Sequence, residues 1–220
     1  VFVPVMNTNN SLKDQVEEKG ISPTKLSSLL GGSTKLVWNK LLGIPGDVQV
    51  NYYMYDNEEC NSCVNDFVKS DIQLENVQKI DRKEELIDAM KNDPNALAFV
   101  RLTDVINPET NELYDGIMLL PLDKNENGSM DYFERIYGDV NSFLRGVWIG
   151  KYSHDLVRNI YSVSDPKRTD QNGDIFLKWV LTSGQKHLNN AGYCDLVGSE
   201  KLSGLSKIKE EPVIAQDTSP

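Results

Sequence analysis

The sequence predicts an α/β protein: a mostly parallel sheet with flanking helices. Three observations carry that reading. Short apolar runs of strand length alternate with segments of helical period. The helical segments open on capping residues and close on glycine or proline. The runs LAFVRL (97–102) and GIMLLPL (116–122) are nearly continuous in apolar residues, as strands covered on both faces are.

Taken in order, VFVPVMN (1–7) reads as a strand. SPTKLSSLL reads as a helix with Ser22 as N-cap, Pro23 at the first helical position and Gly31-Gly32 as its stop. VQVNYYMYD (48–56) is β-rich and follows the turn Pro45-Gly46, and CNSCVNDFVKS starts a helix near residue 60. In DRKEELIDAMKNDP, Asp81 and Glu84 have capping-box spacing and Pro94 follows the end. YFERIYGDVNSFLRGVW is predicted to be helical in pieces, and VRNIYSVS (157–164) to be another strand. The clearest helix is 174–192, where Phe176, Trp179, Val180, Ser183 and His187 share one face and Gly192 is the stop. The end, KIKEEPVIAQDTSP, has little apolar periodicity and reads as a frayed tail or linker.

A net charge of −10 with no basic stripe excludes nucleic acid as the main partner, since a phosphate backbone calls for a basic footprint. No apolar run is long enough to span a bilayer. The chain opens directly in a strand without an initiator Met, so a trimmed or processed start is expected.

One stretch has the spacing of a metal loop. In DKNENGSMDYFE (123–134), Asp123, Asn125, Asn127, Asp131 and Glu134 stand at positions 1, 3, 5, 9 and 12, with Gly128 at position 6. That is the register of an EF-hand-like calcium loop: a hard cation takes six to eight oxygens, and glycine makes the turn. Ser129 at position 7 would contribute its carbonyl. The preceding segment is strand-like and there is no second loop, so the expected ion is a single structural calcium, not a paired sensor. The bland alternative is a polar turn without metal.

Three cysteines, Cys60, Cys63 and Cys194, are too few for a disulfide scaffold or a four-thiolate zinc site. Cys60 and Cys63 are expected to be structural, either bridged as a disulfide or buried as thiols. Neighbouring Glu and Asp disfavour the thiolate that redox catalysis needs. His154 and His187 assemble no nucleophilic constellation, so no catalytic residue is assigned. Trp38, Trp148 and Trp179 are expected in the core or at a lobe interface.

Several pieces in order resemble one family. VFVPVMN, GISPTKLSSLLGG with LVWNKLLG, NALAFVRL, VRNIYSVS and above all FLKWVLTSGQKHLNNAGYCDL are similar to the phosphate-binding proteins of bacterial ABC importers, over roughly residues 1–197. The resemblance implies the type 2 periplasmic-binding-protein fold, in which two lobes close on an oxyanion. It would make 1–164 the second lobe with its crossover strands and calcium loop, 165–203 the C-terminal helical part of the first lobe, and 204–220 a flexible tail. It implies a periplasmic or extracellular (cell-envelope) binding protein and no enzyme, with a small polar or anionic solute and an ABC permease or envelope protein as partners. The family grips phosphate with an Arg and a Ser-Gly-Thr run at a helix start. The corresponding stretch here, 53–67, has no Arg, Gly or Thr and carries Asp56, Glu58 and Glu59. The remaining ligand candidates are Asn57, Asn61 and Ser62, with Arg101, Arg145 or Arg158 as substitutes from other segments. Tight phosphate binding is therefore not expected. The alternative function is a calcium-stabilised structural or interaction module of the cell envelope that has lost small-ligand binding.

Overall fold

The computed structural model describes residues 1–32, 35–55, 57–72, 74, 77–163, 172–188 and 191–208. Its main sheet has five strands in the order β3-β2-β4-β1-β7. These are β1 (Phe2–Asn7), β2 (Asn51–Tyr55), β3 (Val77–Ile80), β4 (Ala96–Arg101) and β7 (Ile117–Leu119). β2 runs parallel to both β3 and β4, while β1 is antiparallel to β4 and to β7. Four strands thus share one direction and β1 alone is reversed, in agreement with the mostly parallel α/β sheet expected from the sequence. Ile106–Asn107 (β5) and Glu112–Leu113 (β6) form a separate small ribbon.

Of the strands that read from the sequence, β1 and β4 are inner, whereas β7, within the apolar run 116–122, is at the sheet edge. All six residues of β1 are buried, as are the first five of β4. Each fully buried Val, Leu, Met or Phe there stabilises the fold by about 1.5–3 kcal/mol. The half-polar β3 (VQKI) is an edge strand, which is why alternation alone missed it. Buried Asn7 ties the sheet to a helix end: its Nδ2 donates to the carbonyls of Met90 and Lys91, two orphan acceptors in the last turn of α5 (Lys83–Asn92).

Helices α1 (Lys13–Lys19), α2 (Pro23–Leu30), α3 (Trp38–Leu42) and α4 (Glu58–Val68) follow the strands. α2 starts as predicted: Ser22 Oγ accepts from Lys25 N at 3.1 Å and Pro23 is the first helical residue. At α5 the expected capping box is absent. Arg82, not Asp81, is the N-cap residue, and Arg82 pairs with Glu85 instead. α6 (Val140–Trp148) is the helical piece of 132–148, and Tyr152 beyond it donates its hydroxyl to Phe2 O at 3.0 Å, fixing this segment against β1.

Two further expectations are corrected. Residues 157–163 form no strand and pair with none among the described residues; Ile160, Tyr161 and Val163 are 77%, 77% and 94% exposed, and residue 164 lies outside the described residues. The helix predicted over 174–192 is α7 (Asn172–Leu181) followed by a tighter 3-10 turn at Ser183–His187. Thr182 leaves helical backbone (φ −117°, ψ −100°), and Gln185 folds back to donate to Val180 O. α8 (Gly198–Leu205) continues past the expected boundary at 203, and the rest of the predicted tail from 209 lies outside the described residues. Trp38 is in the core, whereas Trp148 and Trp179 are half exposed. His187 stacks on Trp179, with ring centroids 6.0 Å apart.

Candidate functional site

In parallel sheets the carboxyl ends of the strands and the helix that follows form the usual ligand crevice. Here that place is the end of β2 at Tyr55, the end of β4 at Arg101 and the N-terminus of α4. Asp56 lies outside the described residues. Asn57 is the N-cap of α4, and its Oδ1 accepts from Cys60 N at 3.0 Å, so its side chain is committed to the helix. Asn61 and Ser62 lie one turn further along α4, Asn61 half-buried and Ser62 exposed.

Arg101 comes to this mouth from the next strand. It does not arrive free. Its Nε donates to Asp104 Oδ2 at 2.9 Å and its Nη2 to Asp104 Oδ1 at 3.2 Å, a two-pronged pair, and its Nη1 lies 3.9 Å from Glu59 Oε2. The hydrogen bonds it donates to Asp104 raise the Arg101 pKa above its ordinary value. Burial, with Asp104 beside it, raises that of the Tyr55 phenol. Sequence reasoning missed Asp104. Its signal is the Arg-x-x-Asp spacing where β4 runs into the 3-10 turn Leu102–Asp104, since residues three apart eclipse in that geometry. Of the other arginines, Arg158 pairs with Asp66 at 2.6 Å on α4, and Arg145 lies in α6.

Cys60 and Cys63 are both buried thiols. Cys60 Sγ donates to Phe99 O and Cys63 Sγ to Asp155 O, partners on different segments. Burial pushes their pKa values up to about 12 and about 11, the reverse of what a redox thiol needs.

The loop 123–134 is a second candidate. Gly128 turns it with φ +82°. The register side chains face inward on backbone donors: Gly128 N donates to Asp123 Oδ2 (2.7 Å), Asn125 N to Glu134 Oε1 (2.9 Å), Asn127 N to Asn125 Oδ1 (3.0 Å) and Ser129 N to Asn127 Oδ1 (2.9 Å). Asn125 Nδ2 donates to Asp131 Oδ2 at 2.8 Å. Asp123 and Glu134 are 2% and 4% exposed, and Asp123 Oδ1 has no hydrogen-bond partner among the described residues. A buried carboxylate oxygen without a partner is costly unless something cationic joins it. No group of three His, Cys, Asp or Glu side chains is gathered as a metal cluster among the described residues. The flanks are not helices: a strand precedes the loop, and residues 132–134 form only a turn.

With this geometry in hand, the chain superposes on a solved structure described as "a possible phosphate binding protein" from Planctomyces limnophilus. The TM-score is 0.55 at 10% identity, over 94% of this chain and 68% of that one. The chain has a phosphate-binding-protein-like fold. An ABC-type phosphate transport receptor from Vibrio cholerae is similar to the same degree, with TM-score 0.56 and 10% identity over 89% of this chain and 69% of the receptor. No family model and no curated protein matches the sequence. No helix among the described residues is long and apolar enough to cross a membrane.

Proposed function

We propose that this chain is an extracytoplasmic solute-binding-like domain, a binding protein and not an enzyme, stabilised by one calcium ion. Its solute is small and polar, and its macromolecular partner is an ABC permease or another envelope protein. The observation that carries the reading is the placement of α4 and Arg101 at the carboxyl ends of β2 and β4, in a fold whose solved examples are described as phosphate-binding. The same observation argues against tight phosphate binding. Phosphate needs charge-assisted donors, and the guanidinium at this mouth is already occupied by Asp104 and faces Glu59.

The residues of 123–134 fit calcium. Asp123, Asn125, Asn127, Asp131 and Glu134 would hold it by side chains and Ser129 by its carbonyl, and the partnerless Asp123 oxygen supports this. The ion would supply positive charge among the three register carboxylates, Asp123, Asp131 and Glu134.

A thermal-shift panel of small solutes, including oxyanions, sugars, amino acids and cations, tests the binding function on the full chain in calcium. A saturable shift with one class is expected. A flat panel favours the second reading, a structural or interaction module, which the internally neutralised Arg101 also suits.

A further inference from the structure

Position 4 of the loop, Glu126, is no calcium ligand in the EF-hand register, and the structure gives it a different task. Glu126 Oε1 accepts from Ser22 Oγ and from Thr24 N, both at 2.9 Å. Those donors are the N-cap and the second residue of α2, more than a hundred positions upstream. α2 has no acidic residue in its own first turn, so Glu126 supplies both the acceptor and the negative charge its N-terminus favours. To do so Glu126 holds φ +59°, a left-handed backbone that persists in a non-glycine residue only when its surroundings enforce it.

The loop is fastened to the same junction through its backbone. Asp123 N donates to Ile21 O at 3.0 Å, Ile21 N to Pro121 O at 2.8 Å and Met130 N to Glu18 O at 2.9 Å. Gly20, at φ +67°, lies so close to Met130 Sδ and the Asp123 backbone that a Cβ would collide with both. The first loop ligand, Asp123, and Ile21 of the α1–α2 link are thus joined directly. An ion that fixes Asp123, Asn125 and Asn127 fixes Glu126 between them.

We infer that calcium in this loop controls the start of α2: ion binding sets Glu126 against Ser22 and Thr24, and the capped helix in turn tightens the ion. This rests on the calcium reading above. Coupling of this kind is reciprocal, so each event strengthens the other by the same factor.

The test measures calcium affinity by calorimetry and amide hydrogen exchange with and without calcium, on the full chain and on Glu126→Ala and Glu126→Gln. In the unaltered protein calcium is expected to slow exchange at Thr24 by about tenfold, within the usual 5–150-fold range of such couplings. Glu126→Ala should bind calcium several-fold more weakly and lose the calcium response at Thr24. Glu126→Gln, which keeps an acceptor oxygen, should restore part of both. If calcium binds but Thr24 exchange is the same with and without it, or if Glu126→Ala binds calcium as tightly as the parent, the coupling is wrong while the calcium site stands. If the parent chain gives no calcium heat at millimolar metal, the calcium site itself is wrong and the coupling falls with it.

Discussion

The N-termini of α2 and α4 begin alike and are finished differently. Each has a polar N-cap whose side chain accepts from the third residue on, Ser22 from Lys25 N and Asn57 from Cys60 N. At α2 the carboxylate comes from a distant loop and closes the helix end with two hydrogen bonds. At α4 the carboxylates are local, Glu58 and Glu59 in the first turn, and the nearby guanidinium is engaged by Asp104. One end is locked by tertiary structure. The other is a mouth lined with charge of both signs, where an incoming anion must displace or outcompete an existing pair. The fold is like that of solved phosphate-binding proteins, yet the guanidinium at this mouth is already paired with Asp104.

The largest effect should come from the loop that locks α2. At calcium a hundredfold above its dissociation constant, a site present only in the folded state adds about 2.7 kcal/mol, roughly 5–10 °C in melting temperature for a chain of this size. Chelation should remove that increment, and Glu134→Gln should lose most of it in calcium. Equal melting of the parent with calcium and with chelator would break the comparison at the α2 end.

Next is Asp104→Asn, which leaves Arg101 half paired. Charge-assisted hydrogen bonds contribute about 1.5–3 kcal/mol when shielded, and partial exposure of Arg101 reduces that, so a loss of about 1–2 kcal/mol in a urea titration is expected. A neutral result would mean that the pair contributes nothing and that the guanidinium is free for a ligand. Asn57→Ala should cost about 1 kcal/mol through loss of the α4 cap. A much larger cost would assign Asn57 a role beyond capping.

The smallest effect near neutral pH is that of the two thiols on the buried face of α4. Because burial raises the folded pKa of Cys60 to about 12 and of Cys63 to about 11, the folded state holds protons that the unfolded chain gives up first. Their contribution is complete below the ordinary thiol pKa and is lost as pH rises from about 9 through the folded values. Stability should be level across pH 7–8 and fall above about 9, and alkylation of both should be slow at pH 8 until the chain is unfolded. Rapid labelling of folded protein at pH 7 would contradict their burial.

What the sequence made legible follows from how far each feature reaches along the chain. Ser22 and Pro23 announce α2 because a cap is a contact over three residues. Inner strands β1 and β4 are visible because burial on both faces leaves continuous apolar runs. The register of 123–134 is visible for the same reason, being contained in twelve residues. The contact of Glu126 with Ser22 and Thr24 was not, because only the tertiary fold brings them together. Asp104 was overlooked because a three-residue turn returns it to Arg101, and nothing in composition marks that turn. VRNIYSVS misled in the opposite sense: β-branched and aromatic residues favour strands, but 157–163 pairs with no strand among the described residues.

The most direct test of the central claim is a phosphate titration by calorimetry, in calcium, of the unaltered chain beside Asp104→Asn. The unaltered chain is expected to bind phosphate more weakly than about a micromolar, the affinity worth roughly −8 kcal/mol, and releasing Arg101 from Asp104 is expected to tighten binding measurably. A dissociation constant at or below about a micromolar for the unaltered chain, with Asp104→Asn binding no better, would contradict the claim.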